Sequence, residues 1–547
     1  MAELAKNQLY TAVITGYTAE GLGVTRVDGR VVFIHGGVRG ERCAVRILKV
    51  LKNIAYARVE EILERSPARR EPDCPHYPAC GGCDFRHISY AEELEAKRQR
   101  VEDALRRVGG VELPVEEILA APTVDGYRNK AQFPVSPEGL AGFYRARSHQ
   151  VIPALDCRLQ APQAGAVAKA VEDYLRALSV PAYDERTGRG LLRHIYVRTS
   201  REGRALVCLV VNGKALPHEA ELVRRIRAAC PDTVGVMLNV NTRDTNAVLG
   251  DAYRTLWGED ALTDELCGLT FRLSAPAFYQ VNRDQAERLY GKAVEFAGLT
   301  GRETVLDLYC GAGTITLAMA RYAGRVIGAE IVPEAIANAR ENARRNGMEN
   351  AEFFCGDAGA VAKKLAEERL RPDVIVVDPP RKGLGEEVPP MIAAMKPERV
   401  VYISCDPGTL ARDVARFRGL GYRAVRAEAA DLFPRTRHVE TVILLSKGEI
   451  DSQKIRVEFS LEDMDMSGFQ KGATYGEIKA YVLEKFGLKV SSLYISQVKR
   501  KCGLEVGENY NLAKSENAKV PTCPLEKEKA IMAALEHFQM IEGSGHK

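Results

Sequence analysis

The stretch Thr304-Val-Leu-Asp307-Leu-Tyr309-Cys310-Gly311-Ala-Gly313-Thr314 decides the fold. Its apolar start reads as a short buried strand, and the glycines after it allow a nucleotide-like ligand to approach the backbone at a helix start. From Arg283 onward the hydrophobic period alternates. A long amphipathic helix covers 283–296, and apolar runs follow at Arg325-Val-Ile-Gly-Ala-Glu330, Phe353-Phe-Cys-Gly-Asp357, Asp373-Val-Ile-Val-Val-Asp378 and Val400-Val-Tyr-Ile-Ser404. Strands alternating with helices mark a parallel sheet covered on its faces.

A nicotinamide-binding turn would carry a third glycine, as G-x-G-x-x-G, but position 316 is Thr. Glu330 lies about twenty residues beyond the glycines, where an acid can hold ribose hydroxyls. Asp357 ends its run where it can meet an adenine. This pattern fits S-adenosylmethionine better than a dinucleotide. After Asp378-Pro-Pro stands Arg381, whereas enzymes that methylate exocyclic amines often place an aromatic there.

The run ending at Ser404 delivers Cys405 and then turns at Asp406-Pro-Gly408. In an open α/β sheet ligands sit beyond the carboxyl ends of the strands, so this thiol is expected at the active-site rim. A free cysteine is otherwise commonly a small core residue. Glu440 opens another apolar run, Glu440-Thr-Val-Ile-Leu-Leu445, although a plain surface acid is the commoner fate of a glutamate. Together the two residues suit one chemistry. Carbon 5 of uracil becomes nucleophilic only after a thiolate adds at carbon 6, and a base must then remove the carbon 5 proton. Asp378 and Asp406 would oppose the thiolate unless they are turned away.

Upstream, short alternating runs from about 9 to 63, with a hairpin signal at Val27-Asp-Gly-Arg30, predict a small closed barrel of the oligonucleotide-binding kind. Arg39, Arg42, Arg46, Lys49 and Lys52 could form its phosphate-facing surface or a solvated face. Cys74, Cys80 and Cys83 follow in a Pro/Gly-rich loop with C-x5-C-x2-C spacing, and Cys157 offers a fourth thiol. Such ligands suit structural zinc or an iron–sulfur cluster, and spacing does not separate them. Four cysteines point to a closed, noncatalytic site. A charged helix at 89–107 leads out of the loop. Between 126 and 281 antiparallel strand patterns surround a helix at 162–178. There Tyr127-Arg-Asn-Lys130, Phe143-Tyr-Arg-Ala-Arg147 and His194-Ile-Tyr-Val-Arg198 interleave aromatics with cations, as unpaired bases and phosphates require.

The chain's 547 residues exceed one core and predict several domains, while 46% hydrophobic and 27% charged residues describe a globular protein. A net charge of +4 is too mild to require a polyanion. Residues 1–6 lack a secretory signal, no run approaches the ~20 apolar residues of a membrane span, and thirteen scattered cysteines do not read as a disulfide framework. A cytoplasmic protein without a membrane partner is expected.

With these motifs in view, residues from about 5 to 449 resemble the bacterial RNA uridine-5-methyltransferases of the large-subunit ribosomal RNA type. The motifs are the barrel (a TRAM domain in that family), the cysteine loop with Cys157, Phe278-Tyr-Gln-Val-Asn282, Asp307-Leu-Tyr-Cys-Gly-Ala-Gly313, Asp378-Pro-Pro-Arg381, Ser404-Cys-Asp-Pro407 and His438-Val-Glu440. The resemblance implies Cys405 as nucleophile and Glu440 as base. It implies Gln280, Tyr309, Glu330 and Asp378 as contacts of S-adenosylmethionine, with Asp357 near the adenine. A 4Fe–4S cluster on Cys74, Cys80, Cys83 and Cys157 is implied as well. Thr314 departs from the Asn that some members carry. Related transfer-RNA enzymes lack the barrel and the cluster, so both features favour 23S ribosomal RNA as partner. No obligatory protein partner is expected, and the chain is expected to act as a monomer.

The expected architecture is α/β and multidomain. It comprises a TRAM/OB-like β-barrel at 5–64, a central α+β RNA-binding domain with the cysteine cluster at 65–280, a Rossmann-like methyltransferase domain at 281–449 and a small, mainly helical module at 450–547. That module has no role in the family core. It should hold a strand at Ile455-Arg-Val-Glu-Phe459, a capping box at Thr474-Tyr-Gly-Glu477, and helices at 477–486, 491–501 and 525–538. The basic end Lys499-Arg-Lys501 suits nucleic acid or complements the helix dipole. Alternative readings are a transfer-RNA uridine-5 enzyme, an RNA cytosine-5 enzyme, and an RNA-binding assembly factor without catalysis.

Overall fold

A computed structural model describes residues 4–447 apart from 117 and 246, together with 475–502, 523–538 and 540. The chain divides into two compact units, 1–451 and 452–547.

The first unit begins with six strands: β1 (Leu9–Val13), β2 (Gly16–Tyr17), β3 (Gly23–Val27), β4 (Arg30–His35), β5 (Arg42–Val50) and β6 (Ile54–Glu64). They pair in the order β1-β5-β6-β4-β3-β2. Alternation drives the closure, because Val32, Ile34, Val45, Ile47, Ala55 and Ala57 all point inward and are fully buried. β3 and β4 meet with Val27 opposite Arg30. Asp28 (φ 48°) and Gly29 (φ 80°) make the left-handed two-residue turn that matches strand twist. The expected basic face is largely consumed by ion pairs: Arg39 with Glu92, Arg42 with Glu64 and Arg46 with Glu60.

The cysteine loop follows, then α1 (Tyr90–Arg107), whose first turn is capped by the Ser89 hydroxyl accepting from the Glu92 N–H. After β7 (Ile118–Leu119) come β8 (Lys130–Pro134), β9 (Gly142–Tyr144), β10 (Val151–Pro153), α2 (Pro162–Ala177), β11 (Leu192–Thr199), β12 (Ala205–Val211), α3 (Glu219–Ala229), β13 (Thr233–Val240), β14 (Ala252–Gly258), β15 (Ala261–Leu266) and β16 (Leu269–Ser274). Five of these form one sheet, β14-β13-β12-β11-β8. It is not wholly antiparallel, since α3 provides a crossover that makes β12 and β13 parallel. α2 and α3 cover it and share its core through Val167, Val171, Leu222 and Ile226.

The third part opens with α4 (Arg283–Ala297), capped by Asn282, and alternates through β17 (Thr304–Asp307), α5 (Thr314–Ala320), β18 (Arg325–Glu330), α6 (Pro333–Arg345), β19 (Ala351–Cys355), α7 (Ala358–Glu367), β20 (Val374–Val377), α8 (Val388–Met395), β21 (Arg399–Ser404), α9 (Pro407–Gly419), β22 (Tyr422–Ala430) and β23 (Glu440–Lys447). The sheet order is β19-β18-β17-β20-β21-β23-β22-β7. β17 to β21 are parallel, and β17, β18, β20 and β21 are apolar and buried at their centres, as strands covered on both faces must be, while β19 forms an edge. β23 runs antiparallel between β21 and β22, and β7 adds a parallel edge. Chain order reverses between β17 and β20, which places a ligand crevice beyond their carboxyl ends. α1 packs into the same core through Val101 and Leu105, so this layer draws on residues far upstream of Arg283.

In the second unit α10 (Tyr475–Phe486), α11 (Ser492–Lys501) and α12 (Leu525–His537) bury Ile478, Val482, Ile495, Val498, Ile531 and Leu535 between them. At its basic end Lys501 pairs with Glu528. The expected strand at 455–459 and the capping residue Thr474 lie outside the described residues. No helix among the described residues is long and apolar enough to cross a membrane.

Candidate active site

The turn after β17 forms the floor of a cavity of about 800 Å³. Gly311 (φ 54°) and Gly313 (φ 85°) both occupy the left-handed region that disfavours side chains. A Cβ on Gly313 would stand 3.3 Å from the Ala339 Cβ, whereas none would meet anything within 4 Å at Gly311, whose open side is the cavity. Thr316, the residue in place of a third glycine, is buried and donates to Asp307 at 2.6 Å. Glu330, at the end of β18, accepts from the Gly311 N–H at 3.3 Å and the Val332 N–H at 3.0 Å, which fixes its carboxylate at the rim. Asp357 caps α7 through the Gly359 and Ala360 N–H groups.

All seven residues expected at the reaction centre line this one cavity: Gln280, Tyr309, Glu330, Asp357, Asp378, Cys405 and Glu440. The strand pairing explains the last two. β21 and β23 are in antiparallel register with Ser404 opposite Thr441. One step further, at the sheet's end, Cys405 comes opposite Glu440. Asp378 follows β20, the neighbouring strand.

The three acids share one field. Burial, then the Glu440 and Asp378 carboxylates, push the Cys405 thiol up to about 11 against the pull of the Arg381 guanidinium. Glu440 is itself pushed up to about 8 by burial and by Asp378, again opposed by Arg381. Burial and Asp307 raise Asp378 to about 7. Asp406 is turned away: its Oδ1 accepts from the Gly408 and Thr409 N–H groups as the N-cap of α9. Cys405 therefore sits just ahead of a helix N-terminus, whose partial positive charge favours a thiolate.

Other side chains also line the cavity, among them Lys130, Phe278, Arg381 and Phe433; Phe278 and Arg381 belong to quoted motifs that assign them no role. Burial together with Arg198 and Arg128 lowers the Lys130 ammonium to about 8. It belongs to the Tyr127–Lys130 run, whose mix of aromatic and basic groups was visible, but its place beside Gln280 depends on Asn129 donating to the Gln280 carbonyl at 2.8 Å. Phe433 comes from the 431–439 loop, which carries no chemical motif before His438.

Cys74, Cys80, Cys83 and Cys157 all line a second cavity of about 250 Å³, which shares His438 with the first. Burial raises the thiols of Cys80, Cys83 and Cys157, with Cys83 reaching about 12. Among the described residues no three Cys, His, Asp or Glu side chains gather closely enough to hold one metal ion. The expected ligands thus surround a space without converging on a point.

Residues 89–448 match the family model described as tRNA (Uracil-5-)-methyltransferase, and residues 4–59 match the TRAM domain. The chain is 41% identical over 445 residues to a protein of Clostridium tetani (strain Massachusetts / E88) named as an uncharacterized RNA methyltransferase, covering 81% of this chain and 97% of that one. It is 42% identical over 453 residues to a protein named likewise in Halalkalibacterium halodurans, covering 81% and 98%. Among solved structures, the tRNA (uracil-54, C5)-methyltransferase of Pyrococcus abyssi in complex with S-adenosyl-L-homocysteine shares the fold with a TM-score of 0.64 at 24% identity, over 80% of this chain and 99% of that one. The switch-point cavity, the matched family model and these relatives lead to one assignment: the chain belongs to the S-adenosylmethionine-dependent RNA (uracil-5-)-methyltransferase family and carries a TRAM domain ahead of its family core.

Proposed function

We propose that the protein methylates carbon 5 of a uridine in 23S ribosomal RNA through a covalent adduct between Cys405 and carbon 6. The observation that carries the mechanism is the register of β21 and β23, which sets Cys405 and Glu440 side by side at the rim of the donor cavity. S-adenosylmethionine supplies the electrophilic methyl group when bound. Gln280, Tyr309, Glu330 and Asp378 are the residues to hold it, with Asp357 at the adenine end. The Cys405 sulfur, once its proton has left, bonds to carbon 6, the electron pair of the 5,6 double bond moves towards the carbon 4 oxygen, and carbon 5 takes the methyl group as the bond between methyl and donor sulfur breaks. Glu440 then takes the carbon 5 proton, and the carbon–sulfur bond breaks to restore the double bond. The uridine must be unpaired or flipped, because stacking shields carbon 6.

A 4Fe–4S cluster is the reading for the four cysteines, which line one cavity of about 250 Å³ and whose thiolates are the ligands such a cluster takes. It would organise the surrounding loop and takes no part in the chemistry. A transfer-RNA target is the second reading. What favours it is the likeness in fold, over 80% of this chain, to a protein named for transfer RNA.

The Cys405→Ala protein should lose all turnover while retaining donor affinity within about twofold, and normal methylation by it would end the covalent reading. Glu440→Gln should trap a protein–RNA adduct visible as a shifted band. Mass-spectrometric mapping of 5-methyluridine in ribosomal and transfer RNA, from cells with and without the gene, decides the target. A position lost only from transfer RNA would replace the 23S assignment. Iron and sulfide analysis of anaerobically purified protein tests the cluster against zinc.

A further inference from the structure

The loop from Asp431 to Val439 runs from β22 into Glu440 and contributes Phe433 and His438 to the reaction cavity. Its backbone is held by other elements almost residue by residue. The Leu432 carbonyl accepts from the Asn282 side chain at 3.1 Å, the Phe433 carbonyl from Lys97 Nζ at 3.2 Å, and the Pro434 carbonyl from the Tyr127 hydroxyl at 3.1 Å. The Arg435 carbonyl accepts from the Asp84 and Phe85 N–H groups at 2.9 and 3.0 Å. Lys97 is fully buried and also donates to Glu93 at 2.7 Å and Asp431 at 2.6 Å, so all three of its N–H groups are used.

Asp84 is the residue after Cys83, and it grips the loop twice. Besides its backbone bond, its carboxylate accepts from the Arg437 N–H at 2.9 Å and from the Arg437 guanidinium at 3.2 Å. Between these contacts Arg435 holds φ 68°, a left-handed conformation that a non-glycine residue keeps only where its surroundings enforce it. Its own N–H is spent on Glu93 at 2.7 Å. The cysteine loop is thus fastened to the segment that aims the base.

We propose that Asp84 is a positioning residue for the methylation reaction: by clamping residues 435–437 it makes the order of the cysteine loop set the placement of His438, Phe433 and Glu440. This deepens the covalent mechanism above and rests on it. Asp84 touches no reacting atom, and its side chain is partly exposed, so replacing it leaves no buried charge unpaired.

The test uses the full chain, with Asp84→Ala, the conservative Asp84→Asn, and Glu440→Gln as reference. Asp84→Ala should slow resolution of the RNA adduct by about tenfold to a hundredfold, the scale of a displaced catalytic group. Adduct should therefore accumulate while donor affinity stays within about twofold. Asp84→Asn keeps an acceptor for the Arg437 N–H and should recover most of the rate. Hydrogen exchange at 432–440 should rise in Asp84→Ala alone. Wild-type adduct kinetics in Asp84→Ala, with adduct forming in Glu440→Gln, would overturn the proposal and leave the mechanism standing. If Glu440→Gln forms no adduct, the covalent mechanism falls. Exchange then decides the clamp, faster exchange at 432–440 upholding it and unchanged exchange overturning it.

Discussion

Glu440 makes Cys405 harder to ionise, and Asp378 does the same to both, so the resting pair holds at least one proton near neutrality. Burial and Asp378 push Glu440 up to about 8, far above an ordinary glutamate, so its proton-accepting form grows as pH rises towards and past that value. Adduct resolution should therefore accelerate by roughly tenfold or more between pH 6.5 and 8.5 and then level off, as rapid-quench measurement of the adduct fraction would show. The stability effect has the opposite sign. A carboxyl whose folded pKa is raised contributes stability fully present below its unfolded value and lost as pH rises through about 8. Glu440→Gln should therefore match the wild type at pH 4 and melt a few degrees higher at pH 8.5. For Cys405 a positive charge in the shared cavity should favour the thiolate. Alkylation by iodoacetamide should be faster with sinefungin, which carries an amine cation, than with neutral S-adenosylhomocysteine. Equal rates would show that the donor's charge does not reach the thiol.

At the scale of elements, the site is assembled by strand ends and helix starts. Asp406 closes the first turn of α9 directly behind Cys405, so Asp406→Ala should destabilise the protein by about 0.5–2 kcal/mol, measurable by denaturant unfolding. Gly313→Ala forces a side chain into a left-handed position against Ala339 and should cost about 1–2 kcal/mol, while weakening the donor more than the RNA. Much of this was legible in the sequence. The run to Asp307 and its glycines, the charged helix from 89 to 107, and the hairpin at Asp28-Gly29 each state their geometry locally. The position of β23 between β21 and β22 was not legible, because antiparallel insertion is settled by long-range pairing and not by the apolar pattern of Thr441–Leu445. That pairing is what brings Glu440 to Cys405, so sequence alone named both residues without explaining why they meet. Lys130 was hidden for the same reason.

At the scale of the molecule, the two units have separate cores, with Ile478, Val482, Ile531 and Leu535 enclosing the second. A chain ending at Asp451 should fold, bind donor with unchanged affinity, and melt within about 2 °C of the main transition of the full protein; loss of donor binding would make 452–547 part of the catalytic body. The first unit does not divide so easily. Its methyltransferase layer includes α1 and β7, made long before the strands they join. Lys97 and Asp431, in contact through a buried ion pair, are 334 positions apart. During synthesis, then, the ammonium of Lys97 waits in water while more than three hundred further residues are added, and the carboxylate that receives it is nearly the last of the unit to arrive. A truncated or stalled chain can carry the barrel, the cysteine loop and the donor turn, yet its catalytic end is unset until the 431–439 loop and β23 have been translated.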